Sequence, residues 1–246
     1  MTDEMATSFG AEAENYEAGR PDYHFDAVAW MLEPMAEGSR RIADVGAGTG
    51  KLTRVLAQAP DAEVVAIDPD PAMLAILRGA IPGVPTFLGS AEALPLPDAA
   101  VDAVVLGQAW HWVDPVVASA EIGRVLRPGG VLGLIWNIRD EREDWVRRLT
   151  EIMHGSNAEI MLAGGGPVVA TPFGPLEEKS WEWARPITRQ RLHAMAASRS
   201  YIITASDGEK ARIRAAMDGL FDELGLHGDA TIDLPYVTRA FRSVRE

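Results

Sequence analysis

The stretch Arg41-Ile42-Ala43-Asp44-Val45-Gly46-Ala47-Gly48-Thr49-Gly50-Lys51 decides the fold. A short apolar run enters three glycines, each separated by one residue. Lys51 to Ala59 follows with Leu52, Val55 and Leu56 on one side at helical spacing. Strand, glycine turn and helix in this order open a parallel βαβ unit. Glycines at such a turn let the backbone pass close to a ligand and leave the helix N–H groups free to meet it. A dinucleotide-binding turn reads G-x-G-x-x-G and would place its third glycine at position 51, which is Lys51. The glycines stand instead at 46, 48 and 50, with Asp44 two residues before the first.

Outward from this loop, strands and helices alternate. Glu63–Ile67 reads as a second strand and ends at Asp68. Asp70–Arg78 reads as a helix with Pro71 in its first turn, where a missing N–H costs nothing. Val84–Leu88 and Val101–Leu106 read as the third and fourth strands. Pro115–Leu126 is a helix with Asp114 as its N-cap. Arg127-Pro128-Gly129-Gly130 turns the chain into a fifth strand, Val131–Trp136. Near-continuous Val, Ile and Leu in these strands predict a parallel sheet covered on both faces.

Upstream, Thr7–Glu17 and Asp22–Glu37 read as helices, the second with Phe25, Val28, Ala29 and Leu32 at helical spacing. Downstream, Asp140–His154 reads as a helix and Gly155–Pro175 as a loop. Lys179–Ala184 follows as a strand, Thr188–Ser198 and Asp207–Leu224 as helices, and Thr231–Ser243 as a last strand.

Composition narrows the function classes. The chain has 246 residues, 47 % of them hydrophobic and 24 % charged, which fits a folded soluble protein and not a disordered one. Its formal charge of −13 comes from 23 basic and 36 acidic residues. Residues 1–165 hold 12 of the bases and 25 of the acids, so the whole excess sits there. No basic stripe meets the need of a nucleic-acid partner. Cysteine is absent, which removes thiolate nucleophiles and thiolate metal sites. Histidines 24, 111, 154, 193 and 227 show no paired spacing, so no metal site is expected. No G-x-S-x-G elbow supports a serine hydrolase. With neither a signal peptide nor a membrane-length apolar run, a cytoplasmic monomer or homodimer is expected.

Four segments together resemble the class I S-adenosylmethionine-dependent methyltransferases. They are Asp44-Val45-Gly46-Ala47-Gly48-Thr49-Gly50, Ile67-Asp68-Pro69-Asp70-Pro71-Ala72-Met73-Leu74, Gly89-Ser90-Ala91-Glu92-Ala93-Leu94-Pro95 and Leu126-Arg127-Pro128-Gly129-Gly130-Val131-Leu132. The resemblance implies an α/β fold, a Rossmann-like doubly wound sheet of seven strands, mostly parallel with an antiparallel last strand. The segments near Lys179 and Thr231 would be strands six and seven. It also implies one domain over 1–246: N-terminal helices to 38, a cofactor-binding core at 40–138, and substrate-side helices with the last two strands at 139–246.

By position, the resemblance implies that Gly46, Gly48 and Gly50 approach the methionyl part of S-adenosyl-L-methionine, with Asp44 behind them. Asp68 would hold the ribose and Met73 would pack near the adenine, with Pro69 also among the cofactor-binding residues. Ala91 and Glu92 would flank the adenine edge. Ser90 stands where many relatives carry an acid, so Glu92 is a candidate substitute. Gln108 would sit by the methionine end. The N-terminal helices would form a lid, bringing Tyr16, Arg20 and Tyr23 over the pocket, with Arg20 facing a carboxylate of cofactor or substrate.

The fourth strand runs into Gln108-Ala109-Trp110-His111-Trp112. The Asn/Asp-Pro-Pro-aromatic motif of nucleobase-amino methyltransferases is missing there. The stretch is similar to that of a small-molecule branch which includes relatives of trans-aconitate methyltransferase. His111 is a candidate catalytic base or a substrate-orienting group. Trp110 and Trp112 are candidates for the substrate wall or for core packing. Trp136 and Asn137 end the fifth strand on the same carboxyl edge, whereas Trp181 and Trp183 are expected to be structural. Three classes compete: methyl transfer to a small molecule with an O, N or C nucleophile, a cofactor-binding protein without turnover, and a nicotinamide oxidoreductase. Lys51 speaks against the last.

Overall fold

In the computed structural model, residues 21–246 are described apart from 37, 39, 40 and 60. The helix expected at Thr7–Glu17, and with it Tyr16 and Arg20, lies outside the described residues. The central strands form where the apolar runs predict them: β1 (Arg41–Val45), β2 (Glu63–Asp68), β3 (Thr86–Leu88) and β4 (Val101–Gly107). β5 (Leu126–Arg139), β6 (Glu177–Thr188) and β7 (Thr231–Val244) complete one sheet in the order β3-β2-β1-β4-β5-β7-β6. Six strands are parallel and the last is antiparallel. The register pairs Asp44 with both Ala66 and Val105, and Gly107 with Ile135. The carboxyl ends of β1, β2, β4 and β5 therefore share one edge.

Burial follows position in the sheet. β1 and β4 lie between neighbours and are buried along nearly their whole length, while β3 at the edge exposes Phe87 and Leu88. The helices between the strands are α1 (Phe25–Leu32), α2 (Lys51–Leu56), α3 (Pro71–Ala80) and α4 (Pro115–Val125). Two of them start as their sequences dictate. Asp70 accepts from Ala72 N, Asp114 accepts from Val116 N and Val117 N, and each precedes a proline at the first helical position. α1 is shorter than the expected 22–37 helix. Its buried face is Ala27, Val28, Met31 and Leu32, with Phe25 and Ala29 outward, one residue's rotation from the predicted stripe.

β5 also departs from expectation. Arg127-Pro128-Gly129-Gly130 does not end before the strand but bulges within it, because Val101 pairs with Leu126 and Ala103 with Val131. Gly129, at φ 75°, donates to Arg245 O, and Arg245 N donates to Gly130 O at 2.8 Å. The turn residues are thus held by a neighbouring strand end.

The chain divides into two compact units, one of residues 22–137, 161–181 and 238–246, the other including 138–160 and 182–237. The core of the first gathers Met31, Ile42, Leu56, Ala103, Val105 and Ile135. Trp181 packs edge-on to Trp30 there, the structural role expected of it. The second unit holds α5 (Asp144–Met153), α7 (Arg189–Ala197), α8 (Ser200–Thr204) and α9 (Asp207–Glu223) around Leu149, Leu192, Met217 and Phe221. Trp183 stacks on Tyr236 at 4.7 Å between ring centres. α6 (Asn157–Ala163) is a helix where a loop was expected, and α8 was not foreseen. Both are short pieces with no full amphipathic period.

Candidate active site

Gly46, Gly48 and Gly50 all hold positive φ, at 70°, 55° and 91°, a region that L side chains rarely occupy. Their surroundings differ. A Cβ on Gly46 would stand 2.7 Å from Ala109 Cβ, and one on Gly50 would stand 2.8 Å from Leu77 Cγ. One on Gly48 would meet nothing within 4 Å. Two of the glycines therefore serve packing, and the middle one faces open space at the head of α2.

The two acids are held on either side of this loop. Asp68 accepts from Gly48 N through Oδ2 and from Asp70 N through Oδ1, each at 2.8 Å. Each oxygen keeps a second lone pair for a ligand. Burial raises the Asp68 carboxyl above the usual range, against the two backbone bonds that lower it. Asp44 is fully buried and accepts from the Thr53 hydroxyl at 2.6 Å. Burial pushes its carboxyl up to about 7, with the Thr53 bond opposing and the Asp68 charge adding to the rise. Its other oxygen, Oδ1, is buried with no partner. Such an orphan acceptor in a dry place calls for a donor. Thr53 was not singled out in the sequence, although a polar residue on the buried side of α2 is the signal that marks it.

The adenine-side candidates lie after β2 and β3. Met73 and Ala91 are buried, Pro69 is exposed, and Ser90 and Glu92 are half-buried. Glu92 Oε1 accepts from Asp114 N at 3.0 Å, so one of its oxygens already holds the start of α4.

At the end of β4, Gln108 adopts φ 56°, and its side chain donates to Asn137 O at 2.8 Å. The Tyr23 hydroxyl lies against Gly107, where a Cβ would come within 2.6 Å of it. Asn137 is engaged at both ends of its amide. Nδ2 donates to Asp22 O at 3.1 Å, and Oδ1 accepts from Thr238 at 2.7 Å. It thus ties β5 to the segment that carries Tyr23, a role not expected from sequence. Trp110 is buried and donates to Val168 O at 2.9 Å. Trp136 is completely buried and donates to Nδ1 of His111 at 3.4 Å. His111 and Trp112 stay half-buried, with ring centres 5.0 Å apart. Among the described residues, no group of three or more His, Cys, Asp or Glu is arranged to hold a metal.

Comparison with known proteins gives the family. A family model described as a methyltransferase domain matches residues 43–134, from the glycine loop to β5. An uncharacterised methyltransferase of Mycobacterium tuberculosis is 44 % identical over 98 % of this chain and 96 % of its own length. The chain belongs to the methyltransferases. An uncharacterised methyltransferase-like protein of Schizosaccharomyces pombe is 33 % identical to this methyltransferase over 97 % of the chain and 96 % of its own length. A solved Anaeromyxobacter dehalogenans protein described as a type II methyltransferase shares the fold, with TM-score 0.64 and 23 % identity over 92 % of this chain and 97 % of that one.

Proposed function

We propose that this methyltransferase binds S-adenosylmethionine across the carboxyl ends of β1, β2 and β4 and transfers its methyl group to a small-molecule acceptor by in-line displacement. The observation that carries the reading is the pairing of an open Gly48 face with two buried acids that still have acceptor capacity. Asp68 offers one free lone pair per oxygen to the two ribose hydroxyls. Asp44 Oδ1 awaits a cation, and the cofactor's ammonium is one. Met73, Ala91, Pro69 and Ser90 border the adenine, with Glu92 presenting its remaining oxygen. Gly46, Gly48, Gly50 and Gln108 surround the methionyl end. Tyr16 and Arg20 belong to the N-terminal segment we assign as the cover.

When bound, the cofactor supplies an electrophilic methyl group with a neutral thioether as leaving group. The chain's own contribution is alignment. Gln108 is held by Asn137 O and Ile135 O, and Asn137 by Asp22 O and Thr238, so the end of β4 cannot drift. Fixing a near-attack geometry in this way supplies several kcal/mol, about 7–11 in the best intramolecular cases. Tyr23, Trp112 and His111 border the acceptor, backed by Trp110, Trp136 and Asn137. A carboxylate or hydroxyl acceptor suits this edge, a nucleic acid does not suit the acidic chain, and the cytoplasm is the expected compartment. The test is a metabolite panel scored by S-adenosylhomocysteine release. Turnover of at least one small molecule is expected, and release confined to nucleic-acid or protein substrates contradicts the reading.

A further inference from the structure

We infer that Thr53 governs cofactor binding through Asp44: its buried hydroxyl donates to Oδ2, keeps that group a carboxylate and leaves Oδ1 to accept from the cofactor's ammonium. The inference rests on the methyl-transfer reading above. Thr53 is completely buried on the inward side of α2, where its companions Leu52, Val55 and Leu56 are apolar. A valine there would keep the volume and bury no hydroxyl, so packing alone gives no reason for a threonine. The reason is the 2.6 Å bond to Asp44 Oδ2.

Asp44 is fully buried, and its main chain is pinned inside the sheet in register with Ala66 on β2 and Val105 on β4. Each carboxylate oxygen therefore needs its own donor away from water. Oδ2 has Thr53, and Oδ1 has none among the described residues. A hydrogen bond to an ionised acid is about twice as strong as one between neutral groups, so the contact favours the carboxylate. The Thr53 main-chain N–H acts in the same direction, while burial and the Asp68 charge on β2 oppose both and bring the carboxyl to about 7. The cations of α2 are turned to another acid, since Lys51 Nζ and Arg54 Nη1 lie 3.2 and 3.9 Å from Asp22 Oδ1. β4 sets Val104 and Val105 at this level of the sheet. Thr53 acts through Asp44 and is a positioning residue. The proton that Asp44 gives up as the ammonium arrives goes to solvent, and no covalent bond to carbon or sulfur changes in this step.

The test is carbon-13 NMR of aspartate-labelled, ligand-free full-length protein, with the Asp44 carboxyl signal identified by its loss in Asp44→Asn. Calorimetry with S-adenosylmethionine at pH 6 and pH 8 accompanies it. Thr53→Val should raise the proton affinity of Asp44 roughly tenfold, the worth of one charge-assisted hydrogen bond. It should then bind S-adenosylmethionine roughly 5–10-fold more weakly than wild type at pH 6, and only about twofold more weakly at pH 8, where most of the wild-type carboxyl is already ionised. Thr53→Ser keeps the hydroxyl and should follow wild type in both measurements. If Thr53→Val does not fold, Thr53→Ala takes its place. An Asp44 signal that titrates alike with and without the hydroxyl, a binding loss equal at the two pH values, or a Thr53→Ser protein as weak as Thr53→Val overturns the inference. Failure of the wild-type protein to bind S-adenosylmethionine would sink the underlying reading instead, and the spectra would still show whether Thr53 controls the Asp44 carboxyl.

Discussion

Asp44 and Asp68 are the two buried acids at the glycine loop, and each titrates above the usual carboxylate range. Burial raises the Asp44 carboxyl from 3.8 to about 7. A folded value above the unfolded one means that the native state binds the extra proton. The associated stability is full below about pH 4 and is lost as pH rises through about 7. Asp44→Asn should therefore stabilise the ligand-free protein at pH 8, by on the order of 1–4 kcal/mol, with the gain vanishing in acid. Denaturant melts at the two pH values check this. An ammonium beside Asp44 Oδ1 would demand the ionised form, so binding near pH 6 should release a proton and weaken as pH falls. Calorimetry in two buffers of unlike ionisation heat reads that proton directly, and identical heats would contradict the contact. Asp68→Asn tests the ribose assignment more cleanly than Asp68→Ala, because Gly48 N and Asp70 N also lean on that carboxylate. It should weaken cofactor binding by roughly 1.5–3 kcal/mol for each charge-assisted bond lost.

At the scale of elements, the glycine loop separates folding from binding. Gly48→Ala costs about 1–2 kcal/mol of left-handed strain but meets no neighbour, so the protein should fold with Tm lower by only several degrees. It should nevertheless bind cofactor at least tenfold more weakly, because the new methyl group fills the open face. Gly50→Ala drives a methyl into Leu77 and Ile81 and should be the more damaging to stability. Thermal melts beside calorimetry distinguish the two variants. A second cluster ties α6 to the end of β5 and to the start of α8. Burial opposes the charge of Glu159, but Arg139 and Arg199, each at 2.8 Å, and Ser156 hold its carboxyl down at about 2. The stability this contributes is present above the usual Glu value and lost as pH falls toward 2. Glu159→Gln should cost about 3–5 kcal/mol at neutral pH by leaving two buried cations short of a partner.

The same scale shows what the sequence could reveal. β1, β2 and β4 and the helices that follow them were legible because buried parallel strands read as continuous apolar runs and because Asp70-Pro71 and Asp114-Pro115 mark helix starts. The bulge in β5 was not legible, since Arg127–Gly130 carries turn chemistry whatever its partner, and only pairing with Arg245 reveals a strand. α6 and α8 are too short for periodicity. Within the site, the acids and glycines were readable from spacing. The locks on Asn137 by Asp22 and Thr238, and on His111 by Trp136, join residues far apart in sequence, and no local pattern announces them.

For the whole molecule, an acidic chain with an open glycine loop on one sheet edge fits the small, partly cationic ligand proposed for it. None of the described helices is long and apolar enough to cross a membrane. The most direct measurement of the central claim is a calorimetric titration of the full chain with S-adenosylmethionine, repeated with oxidised nicotinamide adenine dinucleotide. Saturable one-to-one binding of the first, at least tenfold weaker in Gly48→Ala while the fold persists, is expected, with no detectable heat from the second. Equal binding of both cofactors, or no binding of S-adenosylmethionine by the folded wild-type protein, would contradict it.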